Sequence, residues 1–558
     1  MSERSERIID TARIAHAGAE RQRGAGMSGS AASMVWDAWG VPAGHQPLSD
    51  RVRTLLTQVF GVSGNPVARR DEGDVPLRES ALTPAQRAGL AEVVGAVNVS
   101  SDHRDRLRHA GGKSTPDLLR RRAEGPQDAP DAVVSPADHD QVLAVLAYCA
   151  EHAVAVVPFG GGTSVVGGVD PVRGRFGALI ALDLRRIDHV TGIDPISGTA
   201  TLGAGLTGPR AEQLLAEHGL SLGHFPQSFE FATIGGFAAT RSSGQASAGY
   251  GRFDDMVQRL KIATPSGTIE LGRAPASAAG PDLRELFVGS EGTLGVITEV
   301  TLRVHPVPET VDYQAWSFPD FETGAAALRS VVQAGAAPTV LRLSDEAETG
   351  VNLARSSDIG GSPVAGCLAV TTYEGSAAHV AARSAEASAL LAAAGGTPLG
   401  EKPAQEWEHG RFAAPYLRDA LLDVGVLCET LETATTWSNL AALKAEVTAA
   451  LTGALGEQGT PALVMCHISH TYPTGASLYF TVVAKQLEDP IGQWMAAKRA
   501  AGDAIVAAGG TITHHHAVGT DHRPWLPDEV GDLGVRVLRA VKAELDPAGI
   551  LNPGKLVP

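Results

Sequence analysis

A strand-like AVAVVP at residues 153–158 runs straight into FGGGTSVVGG at 159–168, and few folds place so many glycines at a strand end. Gly160, Gly161 and Gly162 lack a Cβ, so consecutive backbone N–H groups can turn inward and a phosphate can approach the main chain. Thr163 and Ser164 add hydroxyl donors. Such a loop suits a dinucleotide pyrophosphate. It is not a P-loop, because GxxxxGK[ST] needs a lysine and none lies nearby. Nor is it a G-x-G-x-x-G turn opening a helix, since the chain continues through Val165 and Val166 into another glycine pair. A different dinucleotide fold is predicted.

The surroundings of this loop have α/β texture from about residue 130. Ser135-Pro136 with Asp138 reads as a capping-box start, and Val142, Val145, Leu146 and Cys149 give the following helix one apolar face. Upstream, Val52, Leu55, Leu56 and Val59 have helical spacing behind Ser49, opening a mainly helical region over 31–128. Residues 1–30 read as a loose, disordered tail. Further on, HFPQSFEFATIGGFAATRSSG (224–244) and GSEGTLGVITEVTLRV (289–304) are Gly-rich turns whose bare backbone suits a flat aromatic cofactor.

Composition limits the partners. The 558 residues are 44% hydrophobic and 19% charged, globular values with room for several cores. A net charge of −16 argues against nucleic acid and against a membrane held by a basic patch. No apolar run approaches the roughly 18 residues of a membrane span, and the N-terminus lacks a signal-peptide apolar region. Cys149, Cys367, Cys428 and Cys466 are widely spaced, which fits a reducing cytoplasm.

Four segments carry candidate chemistry. In TITHHHAVG the run His514-His515-His516 offers acid/base groups and metal ligands. If 511–516 is extended, His515 faces away from His514 and His516, so one metal could not use all three without recruiting His467 or His470. Proton transfer is the preferred reading, with no metal. In SLYFTVVA, alternation puts Ser477, Tyr479 and Thr481 on one face and Leu478, Phe480 and Val482 on the other. Tyr479 is either an ordinary sheet residue or a pocket base, and as a base it wants a cationic neighbour. Arg418, beside Asp419, reads as a surface ion pair or a phosphate fork. Arg342, in a predicted strand, wants a partner.

Taken together, PFGGGTSV (158–165), GHFPQSFEFATIGGFAATRSSG (223–244), GPDLRELFVGSEGTLGVITEV (280–300) and THHHAVG (513–519) resemble the flavoproteins of the vanillyl-alcohol-oxidase type. Within these the chain is most similar to the alkylglycerone-phosphate synthases, from WDAWG at 36–40 through DRLRHAGGKSTPDLL at 105–119 to the terminal DPAGILNPGKL. The resemblance implies an α+β protein with a two-part α/β FAD-binding domain at 129–308. It also implies an antiparallel-sheet cap at 309–500 and a segment at 501–558 that completes the active site. FAD contacts carry over to Pro158, Phe159, Gly160, Gly161, Gly162, Thr163 and Ser164, and to Gln227, Ser228, Phe229, Glu230, Phe231, Ala232 and Thr233. Thr240, Arg241, Ser242 and Ser243 follow, then Glu291, Gly292, Thr293, Leu294, Gly295, Val296 and Ile297. Residues 158–168 contain neither His nor Cys, so the expected FAD is non-covalent.

By the same resemblance, Tyr479 is the catalytic base and His515 the central histidine, with His514 and His516 in support. Arg418 holds the substrate phosphate, and Arg342 is an activity-determining arginine. The implied reaction replaces the fatty acid of an acyl-dihydroxyacetone-phosphate by a long-chain alcohol, with the sugar phosphate held as a flavin N5 adduct. A homodimer, peripheral contact with a membrane and a cytoplasmic location are expected; the terminal Lys555-Leu556-Val557-Pro558 is not a peroxisomal signal. The alternative is an FAD-dependent 2-hydroxy-acid dehydrogenase or oxidase. Against it, the metal-linked H-x-G-D-G-N-x-H type segment is replaced by HISHTYPTGASLYF. A non-catalytic flavin binder is a third reading. His467, Ser477 and Thr520 depart from the arginine, cysteine and lysine expected of the synthases.

Overall fold

The computed structural model describes residues 34–63, 66, 69–351 and 365–558; the tail expected at 1–30 lies outside them. The first long helix, Asp50–Phe60, starts where Ser49 accepts the Val52 amide at 3.3 Å. Val52 and Leu56 pack on Leu421, Val424 and Val426, while Leu55 and Val59 of the expected face stand in solvent. Helices Pro84–Val94, His103–Arg108 and Thr115–Arg122 complete the N-terminal region.

In a four-stranded sheet Ala178–Asp183 runs parallel between Val154–Phe159 at one edge and Ala132–Val134, with Val99–Ser100 antiparallel at the other edge. Its covering helix, His139–Glu151, buries Val142, Val145, Leu146 and Cys149 completely. The cap differs from the sequence expectation: Asp138, not Ser135, is the N-cap and accepts the Gln141 amide at 2.8 Å. The carboxylate then stands three residues before the amide it accepts, within the first turn, where Ser135 lies too far upstream to reach. A five-stranded antiparallel sheet over residues 190–303 forms the second part of this region. The C-terminal segment joins the first, as Val156 exchanges backbone hydrogen bonds with Ile550 and Asn552 at 2.9 and 2.8 Å.

The third sheet has eight strands between residues 310 and 485, all antiparallel. Alternation in its strand Gly475–Lys485 has the expected outcome. Leu478, Phe480 and Val482 enter a core closed by helices Leu440–Glu457 and Pro490–Ala507, through Leu443, Val447 and Trp494. Tyr479 projects from the opposite face. Among the described residues no helix is long and apolar enough to cross a membrane.

Candidate active site

Glu432 organises the histidine run. It lies directly across from Tyr479 in the antiparallel register, and its carboxyl is fully buried. The carboxylate accepts the backbone amides of His514, His515 and His516 at 2.6, 3.2 and 2.9 Å, and the Thr513 hydroxyl at 2.5 Å. Burial alone would raise this acid; the three imidazoles and the Thr513 bond instead hold it well below the usual carboxylate range. Three successive amides cannot reach one carboxylate from an extended chain. The run therefore curls, and the alternation expected at 514–516 is overturned.

The curl brings all three rings together. His514 and His515 meet Nδ1 to Nδ1 at 3.0 Å, and His515 and His516 have ring centroids 4.8 Å apart. Tyr479 lies beside them, its ring 6.0 Å from His515 and 5.6 Å from His516. Burial lowers the basicity of His514 and His515, and that of His516 to about 3, so all three rings are neutral near pH 7.

Tyr479 donates to Thr430 Oγ1 at 3.0 Å and stacks on His467 at 4.8 Å. Behind it, His467 Nδ1 lies 2.8 Å from Glu348 Oε2 and 2.9 Å from Arg342 Nη2, and Arg342 is paired with Glu348. The partner Arg342 required is thus Glu348. Burial pushes the Tyr479 phenol above its ordinary range, the Thr430 bond and Arg418 opposing it, so the free protein keeps the proton on. The phenolate expected of a cationic neighbour is absent because Glu429 and Glu432 outweigh Arg418 in combination with burial.

Arg418 is no surface ion pair. It is nine-tenths buried, bonds Asp419 Oδ1 through Nε and Nη2 at 3.1 and 2.9 Å, and donates to the Lys113 carbonyl at 2.6 Å. Asp419 in turn accepts the Trp39 amide at 2.6 Å. Three of the five guanidinium protons are engaged, which leaves two for a phosphate. Lys113 also donates its amide to Ser164 of the glycine loop at 2.7 Å, linking Arg418 to that loop.

The glycine motifs pack on one another. A methyl group at Gly161 would overlap the Phe231 carbonyl, and one at Gly160 the Thr233 hydroxyl. The loop 160–164 thus rests on segment 231–233, and among the described residues none of its five amides donates to a protein acceptor. Glu291, at φ 53°, accepts the Val518 and Gly519 amides at 2.8 Å each, so the histidine segment is clamped from both sides.

Known proteins with this architecture are close in sequence. Residues 130–272 match the model of the FAD binding domain, and residues 307–556 that of the C-terminal domain of FAD linked oxidases. The alkyldihydroxyacetonephosphate synthase of Dictyostelium discoideum is 35% identical over 485 residues, 82% of this chain and 78% of that protein. The enzyme of that name from Trypanosoma brucei brucei is 33% identical over 490 residues, 84% and 80% of the two chains. A solved structure of alkyldihydroxyacetonephosphate synthase superposes with a TM-score of 0.80 at 30% identity, covering 94% of this chain and 99% of that one. The chain belongs to the alkyldihydroxyacetonephosphate synthase family.

FAD is the cofactor of this synthase-family chain, and the polar atoms left over fit it. Beside the unpaired loop amides, Gln227 Nε2, Ser243 Oγ and Gln245 Oε1 are buried without a partner. A folded protein seldom leaves such groups unsatisfied unless a ligand meets them. Other residues carried over by resemblance are engaged elsewhere. Leu294, Val296 and Ile297 enter hydrophobic cores, so only their main chain can meet a ligand. Arg241 is paired with Asp254 and Glu285, Ser242 with His224, and Thr240 with the Gly236 carbonyl.

Several members of the synthase-family site were not legible in sequence: Glu432, Glu348, Tyr472, Arg252 and Lys498. A buried acid in the apolar strand Val426–Thr436 was the one available signal for Glu432. Ser477, in place of the expected cysteine, holds His470 by accepting its amide at 3.0 Å. Thr520 packs on Gly167, and a cation reaches this corner from Lys498, which pairs with Asp521 at 2.7 Å. Ring nitrogens of His470, His514 and His515 come within 4.8 Å of one another, spacing that a metal ion could use. Hydrogen bonds already occupy His470, whose Nε2 donates to the Gly244 carbonyl at 3.0 Å while Nδ1 faces Ser469 Oγ at 2.8 Å.

Proposed function

We propose that this protein converts acyl-dihydroxyacetone-phosphate and a long-chain alcohol into the alkyl ether and a free fatty acid, with non-covalent FAD. The observation that carries this reading is that Tyr479 lies against the curled histidine run, while Arg418 is tied through Lys113 to the glycine loop. The exchange consumes no electron acceptor. When bound, oxidised FAD supplies an electrophilic ring that can take up and return electron density.

Arg418 binds the phosphate through its two remaining protons, and its bonds to Asp419 and Lys113 fix the direction of the fork. Tyr479 takes the proton from the carbon beside the ketone, and must first lose its own, which burial makes costly. His515, neutral and facing the pocket, exchanges protons with the departing acid and the incoming alcohol. His467, stacked on Tyr479 and tied to Arg342 and Glu348, holds the phenol in place. A homodimer and peripheral membrane contact belong to the same proposal, since both substrates carry long chains.

The test is direct. Purified protein given acyl-dihydroxyacetone-phosphate and labelled hexadecanol, without an electron acceptor, is expected to form labelled ether, and Tyr479→Phe and His515→Ala to abolish it. The spacing of His470, His514 and His515 favours one second reading, a metal-linked 2-hydroxy-acid dehydrogenase. Anaerobic bleaching of the flavin by a 2-hydroxy acid, with no ether formed, would decide for it.

A further inference from the structure

A phenol has a single proton to donate, and here that restriction propagates into the active site. Arg252, bonded to Asp254 at 3.0 Å and the Arg241 carbonyl at 3.2 Å, sets its positive charge near the Tyr472 phenol. Among the described residues the one hydrogen-bond partner of the Tyr472 O–H is His514 Nε2, 2.6 Å away, and the phenol donates to it. A neutral imidazole whose Nε2 accepts carries its proton on Nδ1. That nitrogen faces His515 Nδ1 at 3.0 Å, so His515 accepts there and keeps its proton on Nε2.

The reverse direction fails on counting. Were His515 Nδ1 the donor, His514 Nε2–H would point at Tyr472. The phenol oxygen would then accept from His514, with its own proton bonded to nothing among the described residues. The competing acceptor is Glu432, whose Oε2 lies 3.5 Å from His515 Nδ1. That oxygen already takes the His514 amide at 2.6 Å. His515 Nε2 itself has no protein partner among the described residues. Around the ring stand Glu432, His514, His516, His470 and Tyr479, with the Arg252 charge near enough to disfavour an imidazolium.

We infer that Tyr472 and His514 form a one-way hydrogen-bond chain that fixes His515 as its Nε2–H tautomer, so that His515 meets the substrate as a hydrogen-bond donor. Tyr472 is a positioning residue, acting through His514. The consequence for turnover rests on the proposed reaction, whereas the tautomer itself does not. In this resting state His515 cannot accept a proton at Nε2 until it has released its own to the departing acid, and removal of the proton from the carbon beside the ketone falls to Tyr479.

The experiment is long-range 1H–15N correlation spectroscopy on deuterated, 15N-histidine-labelled holoenzyme at pH 7.5, with His515 assigned by the signals lost in His515→Gln. Protonated Nε2 and bare Nδ1 are expected for His515. Tyr472→Phe keeps the ring and removes the donor, and is expected to give His515 a mixed tautomer and to lower kcat at least tenfold with KM within twofold. Protonated Nδ1 on wild-type His515 overturns the inference, and that spectrum decides even if Tyr472→Phe does not fold. So does a stoichiometric metal ion in the protein as isolated, or a Tyr472→Phe spectrum identical to wild type. An Nε2–H tautomer in a protein without ether-forming activity would sink the reaction and leave the chain standing.

Discussion

Glu432 Oε2 accepts the His514 backbone amide at 2.6 Å, and from this contact the histidine run takes its shape. The next two amides converge on the other oxygen of the same carboxylate, at 3.2 and 2.9 Å. At the far end of the segment Glu291 takes the amides of Val518 and Gly519. One acid comes from the cap sheet and the other from the turn after Ser290, so the histidine segment is held at both ends.

Removing the charge at Glu432 should release the run. Hydrogen bonds to a buried charged acceptor contribute about 1.5–3 kcal/mol each and are not additive, so Glu432→Gln is expected to cost about 3 kcal/mol. Thermal unfolding of the holoprotein would show it, together with loss of activity. The folded acid titrates below its ordinary value, so its contribution is complete above the unfolded range near pH 4.5 and is lost as pH falls through the folded value.

Glu291 behaves in the opposite sense. Burial, opposed by its two amide bonds and Lys555, raises it to about 7. Ionising it therefore costs stability, absent below pH 4.5 and complete above pH 7, by up to about 3 kcal/mol. Comparing wild type with Glu291→Gln in urea, the balance should shift toward the glutamine variant as pH rises from 4.5 to 8. A pH-independent difference would contradict this.

Because burial keeps Tyr479 protonated, a reaction that uses its phenolate should accelerate with pH. The logarithm of kcat is expected to rise with slope near one from pH 7 to 10, and Tyr479→Phe to remove both the slope and nearly all turnover. A flat profile over that range would assign the base to another group.

Arg418→Lys keeps the charge beside Asp419 and loses the fork. KM for the phosphorylated substrate should rise about tenfold or more, with a smaller change in kcat, corresponding to one charged hydrogen bond. A substrate lacking the phosphate should not distinguish the two proteins.

No histidine or cysteine occurs at 158–168, the site proposed to hold the FAD pyrophosphate. Acid precipitation or denaturing electrophoresis should therefore separate yellow flavin from the protein quantitatively. A fluorescent flavin band travelling with the polypeptide would show a covalent link.

What could be read locally was read well. Period-2 alternation placed Tyr479 opposite Leu478 and Phe480, and the apolar face of helix His139–Glu151 was complete before any contact was known. The N-cap moved only from Ser135 to Asp138. Residues 514–516 were misjudged because extended geometry was assumed for a segment whose conformation is set by an acid some 80 positions away in the chain. No local signal marks Glu432, Glu348 or Arg252 as partners of the histidines and arginines. Likewise, nothing in the RSSG segment tells Arg241, engaged by two acids, from Ser243, left unsatisfied.

The sequence by itself determined the strand ends that glycine opens to a phosphate, the faces of the strands and the membership of a flavoprotein family, since each depends on residue type at short spacing. Tertiary structure alone decided which nitrogen of which histidine carries a proton. That depends on Tyr472, His514 and Glu432 arriving from three separate segments, and a hydrogen bond within 3 Å has no expression in a linear order of residues.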